Sequence, residues 1–284
     1  MTDKPEISIV IVSWNTRDLL RACLKSIYAT MDEIAFEVIV VDNASEDGSA
    51  EMVESEFPEA TLIRSESNLG FAAGCNLGLR KATGRFLMIL NSDAELTAGA
   101  VSRMLDFMER RPDAGLVGPK LVSPDGTLQI NGQRFPTLAR EILGVIRAQK
   151  LIPGVATLGW GREDFDRDAE VDSLAGACML VRREVVEQVG LLDERFFMYF
   201  EDVDWCRRTK RAGWKIYYLG EAQIVHGWAC SSAKQGIVRS HELLHRSRYL
   251  YFRKHHGLIQ AAAIGIISRL VQIAFAFKYR NYSS

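Results

Sequence analysis

The segment Phe196 to Arg208, FFMYFEDVDWCRR, packs the carboxylates Glu201, Asp202 and Asp204 directly behind an aromatic run. Keeping them ionised beside Phe197, Tyr199, Phe200 and Trp205 costs desolvation free energy unless a cation, a metal or a proton-donating substrate compensates. Acidic residues in a helix's first turn also cap free N–H groups and oppose the dipole. Position alone therefore does not separate a catalytic base from a cap. A second acidic segment, Leu90 to Leu96 (LNSDAEL), tips the reading toward chemistry, because it has the form of a strand running into a carboxylate-bearing loop.

Such side chains need a scaffold, and the first half of the chain supplies an alternating one. Ile7 to Ser13, Phe36 to Val41, Ala60 to Ile63 and Phe86 to Leu90 read as buried strands, with another at Gly115 to Gly118. Arg17 to Tyr28, Ser49 to Phe57, Gly70 to Lys81 and Ala98 to Arg110 read as amphipathic helices between them. This alternation predicts an α/β fold, with a mostly parallel sheet and helices on both faces. Ligands collect at the carboxyl ends of strands in such sheets. Three strand ends carry polar clusters: Ser13 with Asn15, Asp42 with Asn43, and Asn91 with Asp93. Ser123 to Thr137 is rich in turn formers and is expected to leave the sheet. Arg140 to Leu151 reads as a helix, Pro153 to Asp168 as a mobile loop, and Val171 to Val181 as a strand interrupted by small residues. A helix is expected from the acidic segment to about Ala212. Strands follow at Lys215 to Leu219 and Ala222 to Val225, with His226 at the end of the last.

The 284 residues suffice for one large core, or for one core with a smaller lobe, and the formal net charge of −1 hides an asymmetry. From Arg239 onward there are eight Lys or Arg and one acid, which leaves 27 basic and 35 acidic side chains in the body. A basic segment on an acidic body suggests an anionic partner for that segment. The five cysteines stand singly, without a CxxC pair, which argues for reduced thiols in a cytosolic compartment. The early apolar run Ile7 to Val12 is too short for the core of a signal peptide.

Familiar nucleotide-site signatures are missing. GFAAGCNLG spaces its glycines too widely for a dinucleotide turn, and no P-loop occurs. What is present, in order, is SIVIVSWN, VVDNASEDGS, NLGFAAGCNLGL, LNSDAEL, GACMLVRR, FFMYFEDVDWCRR and a strand-end His226. In this the chain resembles family 2 glycosyltransferases, and most of all the bacterial rhamnosyltransferase-like group that builds cell-surface polysaccharide. The match runs from about residue 7 to about residue 255.

The resemblance implies a GT-A fold and transfer with inversion from a nucleoside-diphosphate sugar. It assigns Ser13, Asn15 and Asp42 to the nucleoside, with Asn43, Asn68, Gly70, Phe71 and Asn91 beside them. A carboxylate at a strand end can accept hydrogen bonds from a ring N–H or from sugar hydroxyls; Asp42 can equally close a turn before Ser45. Asp93 is implied as ligand to a divalent cation, Mg²⁺ or Mn²⁺, that bridges the diphosphate. His226 is implied as a further metal ligand or diphosphate contact. Asn91 stands where the family's first Asp would be, and Ala229 where a Gly is usual. Asp202 is the expected general base, with Glu201 binding an acceptor hydroxyl or orienting a basic residue. Trp228 and Asp204 are acceptor candidates, while Trp205 and Trp214 are expected in the core. Rhamnose from a dTDP donor, passed to a lipid-linked or polysaccharide hydroxyl, is the leading expectation. Transfer to a polyprenyl phosphate, or a silent nucleotide-sugar-binding protein, stands as the alternative. Nucleic acid is not an expected partner.

The domain reading is a GT-A domain over residues 1–238 and a basic, amphipathic helical tail over 239–284. Leu258 to Phe277 is apolar enough to consider a membrane span, but Arg269 sits in its middle. An in-plane anchor on the inner face of the cytoplasmic membrane fits better. The competing expectation is a helix packed on the domain or in a homodimer interface.

Overall fold

The structure, a computed structural model, describes residues 4–31, 33–145, 165–227 and 236–280. Its central strand, β1 (Ile7–Ser13), lies parallel to β2 (Phe36–Asp42) on one side and β4 (Phe86–Asn91) on the other. β3 (Thr61–Arg64) extends the parallel set beyond β2. β1, β2 and β4 are apolar runs buried on both faces, as parallel strands covered by helices must be, while β3 is a half-exposed edge.

The other half of the sheet is mixed. β9 (Cys178–Arg182) lies antiparallel between β4 and β6 (Ala114–Val122). β6 is parallel to β10 (Lys215–His226), which carries β5 (Ala94–Leu96) and β8 (Ala169–Glu170) antiparallel. β7 (Leu128–Gln129) folds back on the end of β6. The expectation that Ser123 to Thr137 leaves the sheet is thus corrected at Leu128 and Gln129. The two strands expected around Gly220 are one, with a register shift between Leu219 and Gln223. Val171 to Ala177 is loop, and the strand there begins only at Cys178.

Helices α1 (Arg17–Thr30), α2 (Ser49–Glu56) and α4 (Ala100–Arg110) cover one face. On α1 the buried residues are Leu20, Cys23, Leu24 and Ile27, the stripe that the helical period requires. Burial of each such Leu or Ile contributes about 2 kcal/mol. Helices α3 (Phe71–Lys81), α6 (Arg183–Val189) and α7 (Glu201–Arg211) cover the other face, where Trp205 is fully buried. Cys23, Cys75, Cys178 and Cys206 are buried, unpaired thiols, and burial raises their pKa values, so none is a ready nucleophile.

α5 (Leu138–Val145) meets the last helix, α8 (Ile237–Arg280), which is broken at Gly257. Gly257 has a φ of 83°, open to glycine without strain, and past it the chain returns so that Gly265 comes against Tyr249. Tyr251, Phe252, Ala261 and Ile264 form a third core with Phe196. Both arms of α8 are therefore packed on the body. No helix among the described residues is long and apolar enough to cross a membrane.

Candidate active site

The carboxyl ends of β1, β2 and β4 converge on one crevice, lined by Val12, Trp14, Asn43, Asn68, Gly70, Phe71, Asn91, Ser92 and Met198. Five of the residues expected to bind the donor, Asn43, Asn68, Gly70, Phe71 and Asn91, are in this lining. Trp14, Ser92 and Met198 were not singled out from the sequence. Trp14 stands between two residues that were, in SWN, and only the fold shows which of the three faces the opening.

Asp42 is almost entirely buried. Its Oδ2 accepts the Ser45 N–H at 3.1 Å, as the turn reading requires, but its buried Oδ1 has no hydrogen-bond partner. An unmet buried carboxylate oxygen is costly, and a ligand donor at this strand end would satisfy it. Asn43 is different, because its capacity is spent within the protein. Its Oδ1 accepts the Leu69 N–H at 2.9 Å, and its Nδ2 donates to Asn68 Oδ1 and to the Gly70 carbonyl. Asn68 Oδ1 also accepts the Gly70 N–H at 3.0 Å. The two amides shape the wall that leads into α3. Asn15, at φ 55°, accepts the Glu46 N–H at 2.7 Å and ties the ends of β1 and β2 together. The Ser13 hydroxyl is fully buried and pairs with Thr16, whose hydroxyl donates to Ser92. The hydroxyl of Ser13 is thus engaged within the protein.

At the far end of the crevice, Asn91, Asp93 and His226 come together. Antiparallel pairing of β5 with β10 sets His226 opposite Ala94, next to Asp93 in the chain, and the Gly227 N–H donates to the Asp93 carbonyl at 2.7 Å. His226 Nε2 is 3.2 Å from Asn91 Nδ2 and 3.3 Å from Asp93 Oδ1. Asp93 Oδ1 is buried and makes no hydrogen bond. Among the described residues no three His, Cys, Asp or Glu side chains cluster as a complete metal cage. One carboxylate, one imidazole and one amide form an incomplete donor set, which fits a hard divalent cation that takes its remaining oxygens from phosphates and water.

The acidic segment opens α7. Tyr199 and Phe200 both have positive φ, 70° and 67°, an unfavourable conformation for aromatic side chains that turns the chain sharply into the helix. The Phe71 N–H donates to the Phe197 carbonyl at 2.7 Å, and Ser247 donates to the Met198 carbonyl at 2.7 Å, so α3 and α8 hold this turn from two sides. Asp202 is half-buried, and its Oδ2 accepts the Gly176 N–H at 2.9 Å. Its Oδ1 accepts the Val203 N–H at 2.7 Å. Burial raises its pKa and outweighs the lowering by these N–H groups. Glu201 is buried with Oε2 unbonded; loss of water, with the Asp202 charge second, pushes its carboxyl well up. The two are thus unlike carboxylates, one reachable and the other enclosed.

Asp204 does not face the crevice. Its side chain has no exposed surface and meets Arg208 at 2.9 Å, Lys254 at 2.6 Å and His255 at 2.6 Å. The acceptor role expected for it is corrected: Asp204 pins α7 to α8. Trp228, the other acceptor candidate, lies outside the described residues, as does most of the loop expected at Pro153 to Asp168. Gln129, not foreseen from the sequence, bonds His226 at 2.7 Å.

The signature of glycosyl transferase family 2 matches residues 8–190, well over half of the chain. The chain belongs to glycosyltransferase family 2. Among curated relatives, this glycosyltransferase is 28% identical to the N-acetylglucosaminyl-diphospho-decaprenol L-rhamnosyltransferase of Mycobacterium tuberculosis, over 90% of this chain and 86% of that protein. It is 22% identical to the dTDP-rhamnosyl transferase RfbF of Shigella flexneri, over 88% of this chain and 81% of that one. Among solved structures, the mannosyltransferase PcManGT from Pyrobaculum calidifontis, in complex with GDP-Man and Mn²⁺, superposes with a TM-score of 0.56 at 18% identity, over 99% of this chain and 84% of its own. The fold is therefore GT-A, and the chain is a glycosyltransferase of the rhamnosyltransferase-like group.

Proposed function

We propose that the protein transfers a sugar, with inversion, from a nucleoside-diphosphate donor to a hydroxyl of a lipid-linked or polysaccharide acceptor. The single observation that carries the reading is Asp202, a half-buried carboxylate of raised pKa fixed by the Gly176 N–H at 2.9 Å, next in the chain to the Ala177 carbonyl that accepts the Asn91 N–H. In the reaction, the acceptor oxygen attacks the anomeric carbon and the bond from that carbon to the diphosphate breaks. The electron pair leaves with the diphosphate, and the hydroxyl proton passes to Asp202. A phosphate acceptor is already ionised and needs no such base, so the hydroxyl reading is preferred to transfer onto a polyprenyl phosphate.

Asp42 Oδ1 accepts from the nucleoside, and the Trp14 and Phe71 rings wall the crevice. Asp93 and His226, with Asn91, hold Mg²⁺ or Mn²⁺, which when bound offsets charge on the departing diphosphate. Rhamnose from a dTDP donor is the first sugar to test, on the strength of the two rhamnosyltransferase relatives. The basic α8 meets the inner face of the membrane, where a lipid-linked acceptor would be found.

The test is release of nucleoside diphosphate from a panel of nucleotide sugars, with and without Mg²⁺ or Mn²⁺ and with polyprenyl-linked sugar acceptors. Metal-dependent release from one donor, lost in Asp93→Ala, is the expected result. Nucleotide binding without turnover on any donor and acceptor pair would overturn the enzyme reading in favour of a silent sugar-nucleotide binder.

A further inference from the structure

Gln129 is 5% exposed on β7, a strand of two residues. Its backbone pairs with Leu121 of β6, and its side chain reaches the end of β10. There it makes three contacts that together leave it one orientation. Nε2 lies 2.7 Å from the His226 carbonyl oxygen and 2.9 Å from Ser123 Oγ, while Oε1 lies 2.7 Å from His226 Nδ1.

The decisive contact is the one to the His226 carbonyl. A backbone carbonyl only accepts, so the Gln129 atom facing it must be the NH₂ group. The opposite end of the amide is then the oxygen, which only accepts. His226 Nδ1 faces that oxygen and must carry a hydrogen. In a neutral imidazole a hydrogen on Nδ1 leaves Nε2 with a bare lone pair. Nε2 is the nitrogen that points to the Asn91 amide and to Asp93 Oδ1. The Asn91 Nδ2–H donates to that lone pair, as the same tautomer demands.

From this we infer that Gln129 is the positioning residue that holds His226 in its Nδ1–H tautomer and bares Nε2 toward the diphosphate end of the crevice. One residue thus grips one histidine at two points, its carbonyl and its ring, which fixes ring rotation as well as tautomer. The consequence rests on the reading of Asp93 and His226 as the metal-holding end. On that reading Nε2 is the ring nitrogen that His226 offers to the metal. Outer-shell partners of ligating histidines are worth about 10- to 100-fold in metal affinity.

Two measurements test it. The first is long-range ¹H–¹⁵N NMR of the metal-free protein, with the His226 ring assigned by its loss in His226→Gln. Wild type should show the Nδ1–H form and Gln129→Leu a mixture. An Nε2–H or doubly protonated ring in wild type at neutral pH, or an unchanged tautomer in Gln129→Leu, would overturn the clamp. The second is Mn²⁺ binding by electron paramagnetic resonance in the presence of a nucleoside diphosphate. Gln129→Leu should bind Mn²⁺ about 10- to 100-fold more weakly, with metal-free nucleotide affinity unchanged. Equal Mn²⁺ affinity in Gln129→Leu and wild type would overturn the positioning role. Wild-type protein that binds no Mn²⁺ would defeat the metal reading itself, and with it the ligand role of His226, whatever tautomer the NMR reports. A thermal melt of Gln129→Leu that matches wild type shows that the fold is not what was lost.

Discussion

Asn91 and Asp202 are held on either side of one two-residue segment. The Asn91 N–H donates to the Ala177 carbonyl at 2.9 Å, and the Gly176 N–H donates to Asp202 Oδ2 at 2.9 Å. The donor end of the crevice and the proposed base are therefore linked by main-chain hydrogen bonds through Gly176 and Ala177, with no long side chain between them. The small residues of GACM serve this spacing. A Cβ at Gly176 would come within 3.2 Å of the Phe71 ring and 3.6 Å of the Asp202 Cβ.

Asp202→Asn tests what the carboxylate does within that arrangement. The amide oxygen of Asn can still accept the Gly176 N–H, so the local geometry should survive. A neutral amide cannot take a proton from an acceptor hydroxyl. Turnover should fall by about 10²- to 10⁴-fold, with donor affinity by calorimetry close to wild type. Loss of donor binding in parallel with turnover would mean that Asp202 is a structural cap of α7.

Gly70→Ala should disturb the same centre from the α3 side. Gly70 has a φ of 84°, and a Cβ there would fall 2.3 Å from the Phe197 carbonyl oxygen, which accepts the Phe71 N–H. The substitution must strain the backbone and push away the turn that carries Tyr199 and Phe200. A loss of roughly 2 kcal/mol is expected in urea unfolding, accompanied by weaker donor binding. Wild-type stability and binding together would show that the turn yields without cost.

The enclosed Glu201 gives a pH dependence with a definite sign. Burial, and then the Asp202 charge, raise its folded pKa above the ordinary Glu value. The unfolded chain therefore ionises first as pH rises. Stability is complete below the ordinary Glu range and declines as pH climbs toward the raised folded value. Each unit of that gap is worth about 1.4 kcal/mol. Glu201→Gln removes the effect, so its stability relative to wild type should rise between pH 4 and pH 8. A relative stability that is flat with pH would place the Glu201 carboxyl back in its ordinary range.

Much of this was legible in the chain because period and order carry it. Ile7 to Ser13 reads as a strand from its β-branched run, and the α1 stripe of Leu20, Cys23, Leu24 and Ile27 reads as a buried face. The order of motifs marked the segments that form the crevice. What was not legible depends on contacts between distant segments. Nothing local distinguishes Asp204 from Asp202, since Arg208 of α7 with Lys254 and His255 of α8 decide that Asp204 is spent. Gln129 lies in a run of turn formers, and only the return of β7 onto β6 brings it to His226. Ser13 looked like a strand-end ligand, but its hydroxyl pairs with that of Thr16, which in turn bonds Ser92.

The surface of α8 carries the last prediction. Of the ten large hydrophobic residues exposed among the described residues, six lie on this helix: Val238, Tyr249, Leu258, Ile259, Ile266 and Leu270. Ile142 and Val145, on the adjoining α5, add two more. Arg246, Arg253 and Arg269 are exposed on the same helix, in a segment with eight basic residues and one acid. An apolar stripe edged by arginines suits an anionic lipid surface. It suits a symmetric dimer poorly, because a twofold interface sets like charges against each other. Truncation after His256 would not test this cleanly, since Ala261 and Ile264 pack on Phe196 and their removal would open the core. Ile259→Asp is the sharper probe, because Ile259 is 88% exposed. Loss of its burial in lipid, about 2 kcal/mol, should weaken binding to phosphatidylglycerol-containing vesicles by roughly 30-fold at unchanged melting temperature. Equal vesicle binding by Ile259→Asp and wild type would remove the stripe from the membrane, and dimer dissociation in the variant would assign the stripe to a second copy of the chain.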